Sequence, residues 1–171
     1  MYVPVENREG VQPIAVSSPV ANHPLGSIVR ALDPFYGEGE FIYLVGVAGT
    51  LVGSVVTFGG VSGSGAAGKP TYQTALAPST ANLGRPLAVA MSANVAGQYG
   101  WYQIAGTAAV AENATFAAAA SAYLAGAGQL TTAQANGKQM VNAITVAADG
   151  TPAAGLGLIH INRPFAQGQV A

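Results

Sequence analysis

Tyr99-Gly-Trp-Tyr-Gln-Ile-Ala-Gly-Thr-Ala-Ala-Val110 is the stretch on which the fold turns. Its aromatic and β-branched residues predict one long strand, and Gly106 within it marks a bulge or a bend. Outward from it the same signature recurs. Phe41-Ile-Tyr-Leu-Val-Gly-Val-Ala48 and Thr50-Leu-Val-Gly-Ser-Val-Val-Thr-Phe58 read as two strands, followed by a Gly/Ser loop from Gly59 to Gly68. Thr71–Leu76, Pro86–Ser92, Gln139–Val146 and Gly155–Asn162 read as further strands. With 23 Gly and 10 Pro, turns are frequent, which favours short strands over long helices.

One segment reads both ways. Ala114-Thr-Phe-Ala-Ala-Ala-Ala-Ser-Ala-Tyr-Leu-Ala125 is rich in the best helix former, and Asn113 suits an N-cap. Yet Phe116, Ala118, Ala120, Ala122 and Leu124 alternate with Thr115, Ser121 and Tyr123, and the neighbouring segments read as strand. Strand is favoured, with a short helix as its rival. The fold expected is mainly β: a small β-barrel or β-sandwich with an extended N-terminal arm and a short extended C-terminal tail.

Residues 1–40 form the expected arm. They hold Pro4, Pro13, Pro19, Pro24 and Pro34 and show no helical or alternating period. Val11, Ile14, Val16, Ile28 and Val29 make the arm too apolar for a solvated tail. Residues 41–162 form the barrel or sandwich, and residues 163–171 the tail. An extended, proline-spaced apolar arm suits a second subunit's surface. Val11, Ile14, Val16, Ile28 and Val29, with Arg163, Pro164 and Phe165 of the tail, are therefore the expected protein-interface residues.

Charge is scarce: six Lys+Arg and seven Asp+Glu, or 8% of 171 residues, against about 25% in an average soluble domain. A monomer relies on surface charge to stay solvated and apart from its neighbours. A chain that omits it is expected to have much of its surface covered by protein. No basic patch is present to neutralise phosphates, so nucleic acid is not an expected partner. The chain has no Cys, and so no disulfide or thiolate metal site. No run of about 20 strongly apolar residues suggests a membrane helix, and the N-terminus lacks the basic start and apolar run of a secretory signal.

Motifs for chemistry are weak. Gly63-Ser-Gly-Ala-Ala-Gly-Lys69 matches the start of a phosphate-binding loop, but Pro70 stands where Ser or Thr should open a helix. His23 and His160 are the only histidines and have no companion ligands in the sequence. Glu38 and Glu40 fall on one side of a strand, where a solvated or salt-bridged pair is expected rather than an acid/base couple. Tyr99, Trp101 and Tyr102 could stack on sugars, but a core-plus-interface role is favoured. Asp33 and Asp149 sit in Asp-Pro and Asp-Gly turn contexts. No catalytic residue, cofactor site or metal site is expected.

The segments Asp33-Pro-Phe-Tyr-Gly-Glu-Gly-Glu-Phe-Ile-Tyr-Leu-Val-Gly-Val-Ala48, Val89-Ala-Met-Ser-Ala-Asn-Val-Ala-Gly-Gln-Tyr-Gly-Trp-Tyr-Gln-Ile104 and Ile161-Asn-Arg-Pro-Phe165 resemble a group of tailed-bacteriophage head decoration, capsid cement or capsid fibre proteins. The resemblance implies a small β-rich module on the outer surface of a phage head, made in the bacterial host cytoplasm. Its implied role is structural: homo-oligomers, with trimers favoured, brace neighbouring major capsid subunits. The alternative is a receptor- or glycan-binding head or tail fibre module, which would expose Tyr99, Trp101 and Tyr102.

Overall fold

A computed structural model describes residues 3–4, 10–62 and 69–168. The protein is mainly β, and no helix occurs among the described residues. Among the described residues thirteen strands follow in chain order. They are β1 (Val3–Pro4), β2 (Ile28–Asp33), β3 (Gly37–Val45), β4 (Val55–Phe58), β5 (Val61–Ser62), β6 (Lys69–Pro70) and β7 (Thr74–Leu76). Then come β8 (Leu87–Ala90), β9 (Tyr99–Ala111), β10 (Tyr123–Gly126), β11 (Gln129–Thr131), β12 (Met140–Ala147) and β13 (Leu156–Ala166).

The long strand β9 organises the molecule. One edge pairs antiparallel with β3, from Glu40↔Ala105 to Val45↔Tyr99. The other edge is shared: β8 takes Tyr102 and Gln103, and β13 takes Ala105 to Ala111. The sheet therefore forks along β9. One branch runs β9-β8-β4-β7 and the other β9-β13-β12. On the far side of β3 the order continues to β2 and β1. The first branch curls until an isolated bridge, Val45↔Gln73, links the end of β3 to the residue before β7, but the barrel is not closed.

Gly106 makes the fork possible. Its φ is +99°, and a Cβ there would stand 2.6 Å from the Glu38 carbonyl. Gln103, buried beside the bend, donates from Nε2 to the carbonyls of Ala105 (3.0 Å) and Thr107 (3.1 Å). Its amide thus serves carbonyls in the stretch where the register shifts. Before Gly106, residues 100–104 are all buried; beyond it only Ala108 and Val110 are. The strand passes from a doubly covered layer to a half-covered one.

Three buried clusters follow. Ile42, Leu44, Val56, Ala88, Ala90, Tyr102 and Ile104 fill the curl. Val55, Leu87, Val89, Phe116, Leu124, Leu130, Met140, Ile159 and Ile161 lie among those between the branches. β8 is buried on both faces because its alternate residues serve both clusters. Ile14, Val29, Ala31, Phe41, Tyr43 and Trp101 form the third.

That third cluster corrects the expected arm. Residues 28–40 are a hairpin of the main sheet, so a boundary at residue 40 cuts through β3. Residues 10–27 have no strand, yet they are bound to the body. Gln12, 6% exposed, is the fastener. Its carbonyl accepts from Trp101 Nε1 (2.9 Å) and its Oε1 from Tyr43 Oη (2.8 Å) and Asn22 Nδ2 (2.9 Å). His23 accepts at Nε2 from the Gln12 N–H (3.0 Å) and lies edge-on to Tyr43 at 5.2 Å. The expected tail is corrected likewise: β13 runs to Ala166, with Phe165 paired to Val141 and Pro86.

The alanine-rich segment is neither a strand throughout nor a helix. Residues 114–122 are irregular, and strand begins at Tyr123. Ala114 and Ala119 take positive φ, which breaks both patterns. Thr145 fills the gap, its Oγ1 donating to the Ala117 carbonyl (2.6 Å) and accepting from the Ala120 N–H (2.8 Å). Thr50–Gly53 precedes rather than joins its strand, which starts at Val55. Pro70 lies in the β5–β6 pairing, so no helix follows Lys69; Gly63 to Gly68 lie outside the described residues.

Candidate functional site

An apolar cleft of about 290 Å³ lies at the fork of the sheet. Its floor is Ile42, Leu87 and Ile104, all buried. Its walls come from Ile28 at the start of β2, Phe58 at the end of β4, Pro86, and the Arg163-Pro-Phe165 end of β13. Cross-strand pairing places Ile28 beside Ile42 and Ile42 beside Tyr102. Arg163 adopts φ +49°, and the Pro86↔Phe165 bridge then holds the end of β13 across the mouth.

The cleft unites residues drawn from both ends of the chain. Ile28, Arg163, Pro164 and Phe165, expected at an interface, meet here. Ile28 and Phe165 are 38% and 41% exposed at its rim. The other four arm residues do not join them. Ile14 and Val29 are buried in the protein's own core, so neither is free to meet a partner in this conformation. Val11 is half-buried against that core, and Val16 is exposed. Sequence reasoning missed the cleft's other walls, Phe58 and Pro86, because register rather than pattern brings them to the mouth.

A polar groove of about 300 Å³ lies beside the cleft, where Gly39 faces Gly106. Glu38 and Glu40 line it, each with its own cation: Arg30 Nη2–Glu38 Oε1 at 2.6 Å and Arg163 Nη2–Glu40 Oε2 at 2.9 Å. The two carboxylates are thus engaged by separate arginines rather than by one shared partner. His160 is exposed, with Nδ1 3.4 Å from Thr107 Oγ1. No group of three or more potential metal ligands occurs among the described residues.

The aromatic group is mostly interior. Trp101 and Tyr102 are 2% and 0% exposed. Burial raises the Tyr102 phenol pKa, and Asn94 Nδ2 donates to its oxygen at 2.9 Å. Neither ring offers a face for a sugar. Among the described residues no helix is long and apolar enough to cross a membrane. No protein-family model, curated protein or solved structure matches the chain.

Proposed function

We propose that the protein is a structural component of a phage virion, seated on the outside of the head, where it braces neighbouring major capsid subunits. The observation that carries this reading is a surface that keeps large apolar side chains while carrying little charge. Val16, Val20, Leu51, Val52, Ile144 and Val146 are between 49% and 66% exposed. Large apolar side chains exposed on a charge-poor chain are available for contact with protein. A standard interface buries about 1,600 Å² in total, enough to stabilise a shell without chemistry when repeated over a lattice. The resemblance noted in the sequence supplies the identity of that lattice, the major capsid protein, and favours a trimer.

A receptor- or glycan-binding fibre module is less well supported, since the rings it would use, Trp101 and Tyr102, are packed inside. Purified heads test the proposal. The protein is expected to co-sediment with intact heads in constant stoichiometry and to leave them on mild dissociation. Its absence from heads would overturn the reading.

A further inference from the structure

The β2–β3 hairpin carries the cleft's rim at one end and a projecting ring at the other. Phe35, at its tip, is 86% exposed. The tip is not loose: Asp33 Oδ1 accepts from the backbone N–H of Phe35 (2.7 Å) and of Tyr36 (3.0 Å), an Asx turn that fixes the loop. An ordered turn that holds a whole aromatic ring in water is preorganised for burial elsewhere.

The cleft matches this ring in size and character. A cavity of about 150 Å³ accommodates benzene, and the cleft offers about 290 Å³ of mostly apolar space. Charge is complementary as well. Asp33 stands at the base of the ring. Arg163, paired with Glu40, lines the cleft, and Arg85, next in sequence to its wall Pro86, donates from Nη1 to the carbonyl of Gly59, the neighbour of Phe58 (3.2 Å). The ring cannot reach the cleft of its own chain, because Ile28 and Asp33 are separated by about 17 Å of strand.

We propose that Phe35 of one copy inserts into the Ile28–Phe165 cleft of a second copy. The contact joins two different patches, so it is heterologous and builds a ring when the rotation closes. This inference rests on the self-association in the proposed function and not on capsid binding.

Light scattering of the full chain after size exclusion, over a concentration series, tests it. The wild type is expected at a fixed multiple of 17.0 kDa. Phe35→Ser, which removes the ring, and Ile28→Glu, which charges the cleft, are each expected at the single-chain mass with unchanged circular dichroism. Mixed, the two variants are expected to form a dimer and nothing larger, because one intact ring meets one intact cleft. A monomeric wild type, a Phe35→Ser protein that assembles like the wild type, or a mixture that stays monomeric would overturn the proposal. So would a photo-crosslinker at position 35 that captures capsid protein instead of a second copy. Binding of monomeric Phe35→Ser to heads, measured in parallel, reports on the capsid reading separately.

Discussion

Glu112 shows at the residue scale what burial does to a scarce charge. It directly follows β9 at 6% exposure, and its Oε2 is buried with no donor to satisfy it. Burial, then the Asp149 carboxyl against it, raises its pKa above the usual carboxylate range. A native pKa above the unfolded value means that the folded state holds the proton more tightly. The stabilisation is therefore complete below the ordinary Glu range, about pH 4, and is lost as pH rises through the raised pKa. Glu112→Gln should melt like the wild type near that pH and at a higher temperature at neutral pH. Thermal melts over a pH series check this; equal melting temperatures at neutral pH would contradict it. Gly106 makes a second residue-scale prediction. Ala there meets both a positive φ and the Glu38 carbonyl, and should cost about 1–3 kcal/mol in urea unfolding.

At the scale of elements, the N-terminal segment has changed role. Residues 10–27 carry Gln12 and Ile14, which complete the core around Tyr43 and Trp101. Their deletion should expose Trp101, the only Trp, and shift its fluorescence to the red; an unshifted spectrum would show that the segment is dispensable. Gln12→Ala should cost about 1–3 kcal/mol, because it removes the acceptor of the buried Tyr43 hydroxyl. The sequence already contained β3, β9, β12 and β13 in legible form, since aromatic and β-branched runs fit a covered sheet. It did not reveal the anchoring of residues 10–27, because prolines exclude regular structure without excluding burial. Nor did it reveal the path of residues 114–122, which depends on a threonine of β12 and on two alanines at positive φ.

At the scale of the whole molecule, one bent strand explains both core and cleft. β9 serves two branches, and the cleft opens where they part. Ile28 and Phe165 were legible as apolar residues near the chain's ends, but their meeting required the Pro86↔Phe165 register. The scarcity of charge now has a structural counterpart: several of the described charges are tied into pairs beside the fork, and large apolar residues occupy the surface elsewhere. Such a surface should associate through apolar contact, so added salt should weaken assembly little compared with a charge-driven complex. Sedimentation at low and high salt checks this, and dissociation on adding salt would contradict it. The most direct test of the central claim is a binding isotherm of the purified protein on heads that lack it. Saturation at a constant copy number per head, with heads that then withstand higher temperature, is the predicted result; binding that never saturates, or no binding at all, would contradict it.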